Sequence, residues 1–209
     1  MVGSSATQEK LLDAAARLFA ERGVDNVSTA EIVRAAGQRN ASAVQYHFGN
    51  RNEILRAVLA RHVPALAVRR HELLDRAREA PERDLHSAAE AIVIPVTEFA
   101  RRGWRERAYL QIGFQLTGAL DRTTPEIREL MDETAGPAAW ELLRRRCPQV
   151  PTDLWLERQT ICINFVGRAA ADRARRLESG DAAPGLTDAR FVENLVDMVI
   201  AAMTAAHTD

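Results

Sequence analysis

The stretch STAEIVRAAGQRNASAVQYHFGNR, Ser28 to Arg51, decides the fold. Ser28 and Glu31 have the spacing of a capping box, in which the serine hydroxyl accepts from the glutamate amide and the carboxylate reaches back to the serine amide. The pattern predicts a helix from Thr29 to Ala36, with Ile32, Val33 and Ala36 on one face. Gly37 follows, where a helix needs a residue that tolerates positive φ in order to stop. Asn40 is suited to cap a second helix, Ala41 to about His47. A helix this short cannot stand alone, so it must dock on its neighbours. Its outward face then carries Ser42, Gln45 and Tyr46, with His47 near its end. Small or flat polar side chains of this kind suit a groove lined by base edges and phosphates.

Working outward, Met1 to Ala6 reads as a tail and a helix is expected from Thr7 to Arg22. Leu11, Ala15, Leu18 and Phe19 give it one apolar stripe. Gly23 ends it, and Val24 and Val27 are placed to pack beneath the next turn. Downstream, Asn50 and Glu53 form another cap pair and open a long helix. Its stripe is Leu55, Val58, Leu59, Val63 and Leu66, and it continues to about Ala80. Pro64 should kink it, because proline removes an amide donor and crowds the preceding turn.

Helix follows helix after that: Asp84 to Arg102 with a bend at Pro95, then Trp104 to about Leu120. Thr124 and Pro125 read as N-cap and first residue of the next, to about Ala135. Gly136-Pro137 interrupts, helix resumes to about Arg146, and Pro148 and Pro151 frame a loop. Between Ile161 and Ala171 the apolar residues go nearly all the way round. From Arg190 to Met203 the polar residues form one narrow stripe. The rest carries two apolar rows, Phe191-Leu195-Met198-Ala202 and Val192-Val196-Val199-Met203. A helix on one side of a core needs a single row. Two rows suit two partners, its own domain and a second subunit. A central core helix in a monomer is the other reading.

With 209 residues and 46% hydrophobic content the chain can bury a sizeable core. Aromatics are only 5%, alanine is abundant, and no alternating run rich in Val, Ile and Thr occurs. The fold class is therefore all-α. The net charge of −1 hides a bias: residues 1–62 hold 8 Lys and Arg against 6 Asp and Glu, and the remainder holds 20 against 23. The small positive excess sits on the segment with the capped turn. Cys147 and Cys162 make neither a disulfide framework nor a metal site. No signal-peptide pattern and no long uncharged apolar span is present, so a cytoplasmic location is expected. No nucleophile elbow, phosphate loop or paired catalytic carboxylates occur, and neither an enzyme nor a bound cofactor or metal is expected.

The stretch from about Gln8 to Leu59, with LLDAAARLFAERGVDNVSTAEIVRAAG and then YHFGNRNEIL, resembles the N-terminal DNA-binding domain of the TetR family of transcriptional regulators. The resemblance implies a three-helix helix-turn-helix domain, 1–50, joined by a long helix to a helical effector-binding and dimerisation domain, 51–209. It implies that Thr29 and Arg51 hold phosphates, from the starts of the second and fourth helices. The turn after Gly37 is one residue longer than the family's. Ser42, Gln45, Tyr46 and His47 are the candidates for the groove, with Arg39 and Asn40 in the longer turn beside the backbone. In the larger domain Phe99, Trp104, Phe114, Trp140 and Phe165 are candidates to line a cavity. Asn164 and Arg168, in an otherwise apolar helix, add polar partners for a ligand or for a neighbouring helix. Two functions stay open: a homodimeric repressor that binds duplex DNA and is released by a small hydrophobic effector, and an α-helical adaptor that binds only protein.

Overall fold

In the computed structural model the protein is described over residues 2–40, 42–117, 123–180 and 185–206. Among these the chain is helical, with no strand. The helices are α1 (Val2–Arg22), α2 (Thr29–Ala35), α3 (Ala43–Phe48), α4 (Arg51–Ala60), α5 (Val63–Glu79), α6 (Leu85–Ala100), α7 (Trp104–Thr117), α8 (Pro125–Asp132), α9 (Gly136–Arg146), α10 (Thr152–Ser179) and α11 (Asp188–Thr204), and a 3-10 turn, Val24–Asn26, follows α1.

The chain forms two compact units, Met1–Val63 with Gly103–Leu130 and Pro64–Arg102 with Met131–Asp209. This division differs from the linear boundary at 50/51. It runs between the first two residues of α5, just past the turn after α4, and α7 belongs with the first unit. The reason lies on α1, which packs against α2, α4 and α7. Besides the expected stripe, Ala14, Ala16 and Ala20 are buried. Small residues on a second face let another helix approach closely, and α7 answers with Ala108, Ile112 and Leu116, all buried.

The long helix expected from Asn50 to Ala80 is two helices. Arg61 and His62 form a turn between them, and the His62 amide donates to the Leu59 carbonyl at 3.0 Å. Pro64 has no N–H to offer the Ala60 carbonyl and its ring crowds the turn before it, so the helix stops and restarts. The restart places the proline in the first turn of α5, where a missing donor does no harm.

In the second unit α6 packs against α9, α10 and α11. Ala88, Ala89, Ala91, Ile92, Val93, Val96, Phe99 and Ala100 are all buried. The four alanines allow close approach, and the larger side chains fill the space between. On α11 one apolar row is buried at Val196, Val199 and Met203. The other is divided: Leu195 is buried, but Met198 is 44% exposed. On α10, Leu156, Ile161 and Phe165 are exposed as well.

Two helix ends depart from expectation, and the first is the start of α1, at Val2 instead of Thr7, which takes in most of the expected tail. α8 stops at Asp132, and Ala135 takes a left-handed φ of 56° before Gly136 opens α9. The expected end of α7 near Leu120 lies outside the described residues.

Candidate nucleic-acid interface

The helix-turn-helix is assembled from local signals. The Ser28 hydroxyl accepts from the Glu31 amide at 3.3 Å, and the Ser28 amide donates to the Glu31 carboxylate at 2.9 Å. These bonds satisfy two amides at the start of α2. The donated Ser28 amide, then the serine hydroxyl, holds the Glu31 carboxyl below the usual range. At the other end Gln38 N bonds Val33 O and Gly37 N bonds Arg34 O, both at 3.0 Å. This is a Schellman closure, and it requires the left-handed φ of 67° that Gly37 adopts. Ile32 and Val33 face inward, each contributing about 1.5–3 kcal/mol by leaving water.

The second helix begins later than the sequence suggests. Ala41 lies outside the described residues, and α3 starts at Ala43 with Ser42 as N-cap and no side-chain cap bond. The Asn40 carboxamide accepts from the Ser42 amide at 2.9 Å. Asn40 therefore turns the chain ahead of the helix instead of capping it. Ala43 and Val44 are buried, which docks α3 on the unit. Ser42 and Gln45 are exposed, and Tyr46 is 81% exposed. The Tyr46 and His47 rings stand edge to face with centroids 4.9 Å apart, and His47 and Phe48 are half-buried. A short helix thus presents one small hydroxyl, one carboxamide and one phenol to solvent on a rigid base, and each of these can donate to or accept from a base edge.

Around this edge Arg39 and Asn40 are exposed and Thr29 is half-buried at the start of α2. Arg34, on the exposed side of α2, was not singled out by the sequence. Neither Arg34 nor Arg39 forms an ion pair among those of the described residues, which leaves two cations beside α3. Arg51 behaves differently. Its Nε donates to the Val27 carbonyl at 2.8 Å, its guanidinium lies 5.4 Å from the centre of the Phe19 ring, and its Nη2 is buried without a hydrogen bond. These contacts turn it into the unit.

A further feature had no local sequence signal. Gln115 of α7 accepts from the Val24 amide at 3.0 Å and donates to the Phe19 and Ala20 carbonyls at 3.4 and 3.3 Å. It closes the end of α1 and opens the 3-10 turn at once. His62, in the turn after α4, is held with its Nδ1 3.8 Å from Glu106. Burial pushes its imidazole below the ordinary range, against the pull of Glu106.

The seven residues expected to line an effector cavity are not brought together. Phe99 and Trp140 are buried in the second unit. Trp104 and Phe114 are on α7 in the first, where the Arg17 guanidinium sits 3.6 Å over the Trp104 ring. Asn164, Phe165 and Arg168 are exposed on α10. Asn164 donates to the Thr160 carbonyl at 2.8 Å and Arg168 to Asp172 at 2.7 Å. The apolar run around them misled because a helix of 28 residues keeps one face in water even where many of its positions are apolar. The second unit instead holds a cavity of about 490 Å³ between α5, α6, α10 and α11. Ile94, Ala170, Phe191, Val192 and Val196 form its apolar wall, and arginine–carboxylate pairs form its rim: Arg69 with Glu98 at 2.8 Å and Arg101 with Asp188 at 3.0 Å.

Residues 11–58 match the family model described as bacterial regulatory proteins, tetR family. The match covers the segment that carries the helix-turn-helix and likens this domain to that family. Similar solved structures include AmtR of Mycobacterium smegmatis, 20% identical over 96% of this chain and 87% of that one, with a TM-score of 0.55. Another is PfmR of Thermus thermophilus, a TetR family transcriptional regulator, 19% identical over 95% and 99% with a TM-score of 0.53. At these identities the likeness establishes a shared fold across nearly the whole chain. Among curated proteins no significant match is found.

Proposed function

We propose that this TetR-family regulator is a homodimeric repressor whose two copies of α3 enter successive major grooves of an operator. The observation that carries the reading is the exposed edge Ser42, Gln45 and Tyr46 on a helix whose other face is buried at Ala43 and Val44. Gln45 and Tyr46 read bases, with Ser42 and His47 at the groove margin. Thr29, Arg39 and Asn40 hold the backbone, and Arg34 joins them as a free cation. Dimerisation is supported by Ile161 and Phe165 on α10 and Met198 on α11, exposed in a single copy. A second copy removes them from water. A small molecule with an apolar body occupies the cavity of the second unit and favours a conformer whose two heads no longer match the operator spacing. Coupling of this kind is typically about 1–3 kcal/mol.

The test is an electrophoretic shift with the DNA upstream of the protein's own gene, repeated across salt. Affinity falls steeply as salt rises, because phosphate contacts release counterions. Arg39→Ala weakens binding to all sequences alike, and Gln45→Ala or Tyr46→Phe alters the preference among sites. Phe165→Glu combined with Met198→Glu yields a monomer by light scattering. Thermal shift against a panel of hydrophobic metabolites finds the effector. No shift with any upstream fragment at low salt would hand the function to the helical adaptor reading.

A further inference from the structure

Arg51 occupies the place where the family resemblance puts a phosphate contact, yet its bonds lie inside the unit. Its Nε donates to the carbonyl of Val27 at 2.8 Å, a residue 24 positions earlier. Val27 directly precedes Ser28, the N-cap of α2, and Arg51 is the first residue of α4. The whole helix-turn-helix, α2, its turn and α3, lies between the two. One hydrogen bond thus joins the two ends of the reading element.

Three observations say that the bond is an internal tie. Nη2 is buried and makes no hydrogen bond, so a phosphate oxygen reaches it only if the side chain swings out and abandons Val27. The guanidinium packs over Phe19, a ring with no exposed surface. The same corner is gripped a second time, from α7, by the Gln115 carboxamide on Phe19, Ala20 and Val24. A corner held from both α4 and α7 is a rigid base for α2. A salt bridge does not do this work: Arg51 has no carboxylate partner among the ion pairs of the described residues.

We propose that Arg51 is a positioning residue that closes the helix-turn-helix onto its own base, with Gln115 holding the same corner from α7, and that it does not contact DNA. The inference rests on the DNA-binding reading above but assigns Arg51 a role outside the interface. A tie and a phosphate contact differ in one measurable respect. Losing a phosphate contact flattens the plot of log affinity against log salt by about 0.9. Losing an internal tie lowers affinity equally at every salt, because the number of counterions released is unchanged.

The experiment measures operator affinity of the full chain from about 50 to 200 mM salt, at a temperature well below unfolding, for the parent, Arg51→Gln, Arg51→Lys and Gln115→Leu. Arg51→Gln is expected to bind about tenfold more weakly with an unchanged salt slope. A slope lower by about 0.9, or an affinity equal to the parent's, overturns the proposal. Arg51→Lys keeps the charge and serves if the glutamine variant is unstable. It too is expected to bind more weakly, since an ammonium cannot span Val27 and the Phe19 ring as the planar group does, and parental affinity would make Arg51 a phosphate contact. Gln115→Leu is expected to lower affinity at unchanged slope, and no loss would remove the α7 half of the clamp. Amide hydrogen exchange in residues 28–49 is expected to quicken in Arg51→Gln. This readout needs no DNA, so a parent that binds none would sink the repressor reading while exchange still decides the tie.

Discussion

The reading element and the second unit are both held by side chains that bond to backbone, but over very different stretches of chain. In the reading element most partners are neighbours: the Ser28 hydroxyl with the Glu31 amide, and the Asn50 carboxamide with the Asn52 and Glu53 amides at 2.8 and 3.0 Å, with Arg51 on Val27 the one longer tie among those described. In the second unit arginines reach carbonyls far along the chain. Arg70 donates to Thr134 O at 2.7 Å. Arg146 donates to the Ala77 and Asp84 carbonyls and to Ser87 Oγ. Arg158 donates to Met203 O and Ala205 O at 3.1 and 2.9 Å. Orphan carbonyls at helix ends must find donors somewhere. Short helices joined by tight turns find them locally, and long helices in a bundle find them across the core. The first kind of fastening forms with its helix. The second forms only when the bundle closes.

That contrast is open to attack, starting from its largest consequence. Arg146→Ala deprives three acceptors of one cation and should cost about 3 kcal/mol in denaturant unfolding. A loss as small as that of a single cap would erase the distinction. Next come the local fastenings. Ser28→Ala and Asn50→Ala should each cost about 1 kcal/mol, and should add when combined only if the two ends of the reading element are independent. Excess loss in the double variant would sharpen the picture of an element tied end to end.

The cap of α6 makes a third comparison, because it titrates. Asp84 accepts from the His86 and Ser87 amides at 3.0 and 3.4 Å. The Ser87 hydroxyl first, then these two amides, hold its carboxyl below the reference value of 3.8. A lowered carboxylate gives stability that is complete above the unfolded value and is lost as pH falls through the folded one. Asp84→Ala should therefore cost about 1 kcal/mol at neutral pH, and the gap to the parent should close as pH is taken below 3.8. A gap constant with pH would mean that the charge plays no part.

The smallest effect is expected at His62. Burial lowers its imidazole below 6.5, with Glu106 opposing. The unfolded chain takes up the proton first, so the contribution of His62 is complete above 6.5 and shrinks as the pH falls below that value. His62→Gln should flatten this part of the stability profile, read from melting curves between neutral and mildly acidic pH. An unaltered profile would show that the turn between α4 and α5 tolerates the charge.

Much of the candidate interface is legible in the residues themselves. The capping box, the glycine that stops α2 and the outward Gln45 and Tyr46 all follow from spacing, because each bond joins residues within one turn of helix. The same locality explains why the start of α3 falls two residues later than its spacing predicts. Asn40 is equally suited to cap a helix or to turn the chain ahead of one, and its neighbours do not choose between them. Arg34 carries no signal of its own, because an exposed arginine on a helix has no pattern that marks it out.

The expected effector residues are dispersed for a different reason. Aromatic side chains spaced along a sequence look alike whether they plug a core or line a cavity, and Trp104 is covered by Arg17, which arrives from a helix far away in the chain. Residue chemistry and short-range spacing settle which segments are helices, roughly where they begin and end, and which edge of the short one faces outward, since those outcomes depend on atoms a few residues apart. Which way Arg51 points, which helix Gln115 holds and where the second unit leaves a void depend on pairs that meet only when distant helices pack. No window of sequence contains both members of such a pair.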